Sequence, residues 1–211
     1  MLAIFGLGYI FYLHVRKQPA LSPKRLHLAC MKTKKEKPTA YSYKTMKSPV
    51  GVLKLVASER GLVAILWQNE RPNRVRLGPL TEDKNHPILL EAERQLNDYF
   101  AGKRDRFSLR FDFAGTEFQK SVWRALLAIP FGATPSYGEI ARQIGHPTAA
   151  RAVGAAIGRN PISIMVPCHR VIGSTGKLTG FAGGLDIKAS LLKHESERPR
   201  PARVDHGSRP E

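Results

Sequence analysis

Between residues 41 and 113, apolar and polar positions alternate with a period of two in several short runs, which predicts strands. Runs over 41–46 and 51–57 flank Ser48-Pro49, and a third over 61–67 follows Glu59-Arg60-Gly61, a hairpin turn. The period then changes. From Pro87, which suits a first helical position, Leu89, Leu90, Ala92, Leu96, Tyr99 and Phe100 recur at helical spacing until Gly102. Leu109, Phe111 and Phe113 alternate again and predict a strand over 107–113. Residues 41–113 therefore read as a small α/β unit, an antiparallel sheet with one helix.

Beyond residue 113 the period is helical. Thr116-x-x-Gln119 is a capping box, and Phe118, Val122, Trp123, Leu126 and Leu127 form the apolar face of the helix it opens. Pro130 and Gly132 close that helix. Ser136-x-x-Glu139 is a second box, opening a short helix to about residue 144. Gly145-His146-Pro147 makes a turn, and Thr148 is the expected cap of a third helix over 149–157. Helix, glycine turn and helix give the spacing of a helix-turn-helix, although a plain helical hairpin has the same pattern. A last amphipathic helix ends near Glu195. The expected organisation is an extension over 1–40, an α/β part over 41–113, a mostly helical part over 114–196 and a disordered tail over 197–211.

Composition changes this picture in one respect. A chain of 211 residues, 42% hydrophobic and 24% charged, is ordinary for a globular protein, but a net charge of +17 is not. Residues 46–195 hold 21 Lys and Arg against 13 Asp and Glu, so the expected folded part is basic by itself. That balance suits a polyanion. The apolar run over 1–13 is too short to span a bilayer and lacks the features of a secretory signal. Met31 opens a lysine-rich, soluble segment. Residues 1–40 are therefore expected to be a disordered or mis-started extension, with no membrane association.

The chain has two cysteines, Cys30 and Cys168, too few for a disulfide framework or a four-ligand zinc site. No metal-ligand cluster or phosphate-binding glycine loop is visible, so no cofactor or metal is expected. Cys168 lies in Ile164-Met165-Val166-Pro167-Cys168-His169-Arg170-Val171, where an imidazole and a guanidinium adjoin the thiol. These are surroundings that favour a thiolate, the nucleophilic form. A bare Cys-His pair is also compatible with an inert buried cysteine at a strand end.

The flanks decide between these readings. Gly158-Arg159-Asn160-Pro161, Val166-Pro167-Cys168-His169-Arg170-Val171-Ile172, Leu178-Thr179-Gly180-Phe181-Ala182-Gly183-Gly184-Leu185, Lys188 and Leu191-Leu192-Lys193-His194-Glu195 occur in that order. Upstream stand Gly115-Thr116-Glu117-Phe118-Gln119, Ser136-Tyr137-Gly138-Glu139-Ile140-Ala141 and Arg151-Ala152-Val153-Gly154. From about Gly115 to Glu195 the chain resembles the methylated-DNA–protein-cysteine methyltransferases. The resemblance is weaker over 43–113.

The resemblance implies a ribonuclease H-like first domain and a winged helix-turn-helix-like catalytic domain. It implies a one-turnover transfer of an alkyl group from O6-alkylguanine, with O4-methylthymine as a further substrate, to Cys168. The partner would be double-stranded DNA carrying the lesion, bound by a monomer in the cytoplasm (at the nucleoid in a bacterium, in the nucleus in a eukaryote). Because O6 is inside the base stack, the nucleotide must be flipped out. By the same resemblance, Glu195 orients His169, which reaches Cys168 through a water, and Tyr137 donates a proton to the departing base. Arg151 would fill the gap in the duplex, Asn160 would be the hinge after the recognition helix, and Asn160, Ser136 and Thr148 would contact DNA. Pro161, Val171, Phe181 and Ala182 would form the pocket. The family commonly has Tyr-Ser or Tyr-Ala where this chain has Phe181-Ala182, which leaves backbone N–H groups as the donors to O6. Ile157 stands where Asn or Met is frequent. Two other readings are a lesion-binding protein of the same architecture, against which Cys168 argues, and a cysteine hydrolase, which would turn over repeatedly.

Overall fold

The computed structural model describes residues 40–198. The expectations for residues 1–39, and for the tail beyond residue 198, lie outside the described residues. Glu197 and Arg198, expected in the disordered tail, are placed. Arg198 donates to the carbonyl of Tyr99 at 2.7 Å and lies over the rings of Tyr99 and Phe131.

Strands β1 (Tyr41–Ser48), β2 (Gly51–Ser58) and β3 (Gly61–Trp67) form the expected antiparallel meander. A fourth strand, β4 (Leu80–Glu82), pairs parallel with β1, giving the order β3-β2-β1-β4. The sheet is thus mixed. Only three residues form β4, too few for a period of two to be visible. Residues 107–113 do not make the expected strand. They touch β3 through one bridge, Leu62 to Phe111, with Leu62 N donating to Arg110 O and Asp112 N to Leu62 O, each at 2.8 Å. Near Ser108 the backbone is bonded by the Gln95 side chain instead of a strand, with Ser108 N donating to Gln95 Oε1 at 2.9 Å. The passing chain also explains Gly61, because a Cβ there would lie 2.5 Å from the Arg110 carbonyl oxygen.

Helix α1 (Pro87–Phe100) starts at the predicted proline, packs on the sheet and buries Leu89, Ala92, Leu96 and Tyr99, the last against Phe107 and Phe131. Leu90 is exposed, so the apolar face is narrower than the pattern predicts. Helix α2 (Glu117–Leu127) and helix α3 (Tyr137–Gln143) both carry the predicted capping boxes, at Thr116/Gln119 and Ser136/Glu139. Leu127, assigned to the apolar face of α2, faces solvent. Helix α4 (Ala150–Gly158) is capped at Ala149, with no side-chain bond. Thr148 is exposed one residue outside the cap and does not cap the helix. Helix α5 (Leu185–Ser196) ends the described chain.

The two halves share one core. Leu55, Ile65 and Leu96 from the first half join Trp123, Leu126, Ile140 and Val166 from the second. The halves are also stitched by backbone, with Ile65 N donating to Pro161 O at 2.9 Å. The opposite face of the sheet (Val56, Val63, Ala64) is covered by Val75, Leu77 and Leu80.

Candidate active site

Cys168 opens a single 3₁₀ turn, Cys168–Arg170, rather than continuing a strand. Pro167 supplies no N–H and precedes the turn, and Cys168 N donates to Val166 O at 2.7 Å. Upstream, Ile164 has φ +74°, a left-handed conformation that a β-branched residue rarely adopts. This strain, about 1–3 kcal/mol for such a residue, is held by a buried surround that leaves residues 160–171 almost without solvent contact.

The turn sends its side chains two ways. His169 and Arg170 point back to Glu195 on the last turn of α5. Glu195 Oε1 accepts from His169 Nε2 at 2.8 Å, Tyr99 Oη at 2.9 Å and Arg170 Nη2 at 3.0 Å. Its Oε2 accepts from Arg170 Nε at 2.8 Å and Gly132 N at 3.2 Å. Burial alone would raise the pKa of Glu195. Hydrogen bonds and charge from His169 and Arg170 outweigh it and hold the carboxyl well below its ordinary range. An ionised carboxylate only accepts, so the proton of neutral His169 sits on Nε2 and Nδ1 carries the lone pair. Nδ1 has no partner within the protein. Burial lowers the pKa of His169, partly offset by Glu195, so the ring is neutral near pH 7 and able to take a proton.

Cys168 faces the other way, into a cavity of about 100 Å³ lined among others by Tyr137, Asn160, Ser163, Phe181 and Ala182. Burial raises the pKa of the thiol, and side-chain bonding from Asn160 and the charges of Arg74 and Lys188 work against that rise. Lys188 is fully buried and donates to Val171 O at 2.5 Å and Thr179 O at 2.8 Å. Burial lowers its pKa, and the nearby sulfur, when ionised, raises it. Four larger clefts, of about 410, 450, 140 and 360 Å³, contain no cysteine.

Most of the expected site residues are brought together. Tyr137 is the first residue of α3, its hydroxyl accepting from Thr179 Oγ1 at 2.9 Å. Phe181 packs edge-on against Trp67 at 5.5 Å between centroids and against His169 at 6.4 Å. Gly183 allows this approach, since a Cβ there would sit 3.0 Å from the Trp67 ring. Arg151 is exposed in the first turn of α4.

Other residues lie elsewhere. Pro161 lines the 410 Å³ cleft, and Val171 is fully buried with its carbonyl given to Lys188, so neither walls the Cys168 cavity. Asn160, expected to meet DNA, is buried: its Nδ2 donates to Val166 O at 2.8 Å and its Oδ1 accepts from Ile162 N at 3.0 Å. It is a strut between α4 and the Cys168 segment. Ser136 spends its hydroxyl on Glu139, donating to Oε2 at 2.7 Å. Thr148 is exposed but remote from any cap role.

Sequence reading missed Arg74, Trp67, Tyr99, Ser163 and the roles of Arg170 and Lys188. Arg74 lies in the loop after β3, clamps Glu70 at 2.5 Å and donates to the Asn160 carbonyl. Only Arg170 and Lys188 lay within recognisable motifs. The others reach the site through tertiary packing.

A buried cavity-lining thiol, followed in the chain by a histidine paired with glutamate and standing near the helix pair α3 and α4, is an arrangement suited to a cysteine nucleophile. Comparison with known proteins gives the family. Residues 41–113 match the 6-O-methylguanine DNA methyltransferase, ribonuclease-like domain, and residues 117–197 match the 6-O-methylguanine DNA methyltransferase, DNA binding domain. The chain is 50% identical over 153 residues to a methylated-DNA–protein-cysteine methyltransferase of Methanosarcina acetivorans, covering 72% of this chain and 97% of that one. A Mycobacterium tuberculosis protein of the same name is 49% identical over 158 residues, covering 74% of this chain and 93% of that one. The crystal structure of Mycobacterium tuberculosis OGT in complex with DNA matches at a TM-score of 0.66 and 47% identity, covering 76% of this chain and 95% of that one. The chain belongs to the 6-O-methylguanine DNA methyltransferase family. Among the described residues no helix is long and apolar enough to cross a membrane, and no cluster of metal-ligating side chains occurs.

Proposed function

We propose that the protein repairs double-stranded DNA by moving an alkyl group from O6 of guanine to Sγ of Cys168, once per molecule. The observation that carries this is a cavity-lining thiol next to a neutral imidazole whose Nδ1 is unengaged. A water in the cavity takes the thiol proton and passes one to Nδ1, while Glu195 stabilises the resulting imidazolium. The thiolate attacks the alkyl carbon, the S–C bond forms, and the C–O6 bond breaks with its electrons going to the base. Tyr137 gives its proton to that base and recovers one from His169 through water. The product thioether is not hydrolysed, so the site is spent.

Access requires the nucleotide to leave the stack, at a cost of a few kcal/mol. Arg151, exposed in the first turn of α4, enters the duplex in its place. The first N–H groups of α4, free of side-chain capping, meet phosphate. Residues 114–196 bind DNA and accept the alkyl group, and residues 41–113 support them. The protein acts as a monomer, in the cytoplasm or wherever the host keeps its DNA. Intact mass before and after exposure to duplex DNA containing O6-methylguanine tests the reading. A gain of one methyl, mapped to the Cys168 peptide and saturating at one equivalent, is expected. Repeated turnover, or a methyl on Cys30, would overturn it.

A further inference from the structure

Ser163 is fully buried, its Oγ makes no hydrogen bond within the protein, and it lines the Cys168 cavity. A buried hydroxyl without a partner destabilises a fold, and alanine would occupy the same place without that cost. The neighbouring backbone carbonyls are already taken: Met165 N donates to Ser163 O at 3.0 Å, and Val166 N to Ile162 O at 2.9 Å. The strained Ile164 follows immediately, so the turn that aims Ser163 at the cavity is itself imposed by the surrounding core.

Other polar groups line the cavity or act on the thiol through their charge: Arg71 and Arg74 from the loop after β3, Tyr137 from α3, Asn160 from the end of α4 and Lys188 from α5, while His169, next in the turn, points back to Glu195. Arg74, Asn160 and Lys188 already donate to carbonyls, Tyr137 already accepts from Thr179, and Arg71 is exposed. Ser163 alone is both buried and wholly unengaged. A thiol sulfur is a weak acceptor, whereas a thiolate accepts strongly. The missing partner of the hydroxyl is therefore created by the ionisation that the reaction needs.

We propose that Ser163 is a catalytic residue of this site, its Oγ–H donating to the Cys168 thiolate and holding the sulfur in its reactive, buried state. This rests on Cys168 being the alkyl acceptor. Ser163 is among the groups that oppose the burial-driven rise in the thiol pKa, after Asn160, Arg74 and Lys188. Once the sulfur is alkylated its charge is gone, and the hydroxyl is again without a strong acceptor.

The test is the pH dependence of Cys168 alkylation in Ser163→Ala and Ser163→Thr, with thermal stability measured alongside. Two electrophiles are used, free O6-benzylguanine and iodoacetamide, and alkylation is followed peptide by peptide so that Cys30 is read apart. In Ser163→Ala the midpoint of the thiolate limb should rise by about one pH unit, which slows reaction at neutral pH about tenfold. Thermal stability should be unchanged or higher, and Ser163→Thr, which keeps a hydroxyl, should restore most of the shift. An unmoved midpoint in Ser163→Ala, whether or not stability falls, would overturn the proposal, as would an equal shift in both variants. The iodoacetamide arm reads the thiolate without DNA or guanine. A shift there supports Ser163 even if wild-type protein accepts no alkyl group from O6-methylguanine, a failure that would count against the proposed function instead.

Discussion

Behind the Cys168–Arg170 turn both oxygens of Glu195 and all three nitrogens of the Arg170 guanidinium are engaged, whereas in front of it the Ser163 hydroxyl is not. Glu195 accepts five hydrogen bonds from four residues and is sealed from solvent. On the cavity side Ser163 Oγ has no partner, and burial raises the pKa of the Cys168 thiol. The contrast separates two tasks. A saturated network fixes the imidazole in one tautomer and one orientation. The unsaturated side holds donor and acceptor capacity for groups that arrive with the substrate. Substitutions behind the turn should therefore damage folding and rate together, and those in front should damage the reaction with little effect on folding.

Cys168→Ala gives the largest separation. It should abolish methyl transfer while leaving DNA affinity close to wild type, since the side chain is small and its sulfur makes no structural hydrogen bond that the fold requires. Intact mass and a binding titration on the same DNA check this. A large loss of thermal stability would place Cys168 with the structural side.

Glu195→Gln tests the other side. It leaves the Arg170 guanidinium buried without its counter-charge, which should destabilise the fold by about 3–5 kcal/mol. In single-turnover rate, Glu195→Gln and His169→Gln should be strongly non-additive, because either one disables the same relay. Denaturant melts and a double-mutant cycle give both readings, and additive rate losses would mean the two residues act separately.

The same network sets the response to acid. His169 has a depressed pKa in the folded state, so its contribution to stability is present above about pH 6.5, the unfolded value, and is lost as pH falls below it. Glu195 is depressed as well, so its contribution is present above about pH 4.5 and is lost as pH falls further. Stability should thus decline with acid from about pH 6.5 downward. Replacing His169 by Gln should remove the upper part of that decline. Melting temperature against pH for the two proteins checks it.

Much of this arrangement was legible from local pattern. Two capping boxes, Pro87 and the turn at Gly145 set their helices where the spacing predicted, because each signal acts within one helical turn. The motif around Cys168 pointed to the proposed nucleophile and base, and the resemblance pointed to Glu195, which lies against His169. What the pattern did not reveal depends on residues distant in sequence. Trp67 meets Phe181 across 114 positions of chain, counting from 67 to 181, and Tyr99 meets Glu195 across 96. No periodicity reports such pairs. The segment over 107–113 alternates like a strand, yet Gln95 takes part of its backbone bonding, and tertiary context overrode the pattern. Thr148 was a sound cap by residue type, but the helix begins one position later than that role requires.

Arg151 gives the smallest expected effect and the one confined most tightly to the front of the molecule. It is exposed, lies in the first turn of α4 and does not line the Cys168 cavity. A free base reaches that cavity without a duplex to open, so Arg151→Ala should react with O6-benzylguanine at the wild-type rate. With duplex substrate the loss should be about 10- to 100-fold, the size of one specific nucleic-acid contact. Thermal stability should move by less than about 0.5 kcal/mol, as for an exposed substitution away from any cap or network. Single-turnover rates on both substrates, measured on the same preparation, decide the matter. Equal losses on duplex and free base would mean that Arg151 supports the shape of the cavity, and the division between the two sides of the turn would have to be redrawn to include the recognition helix.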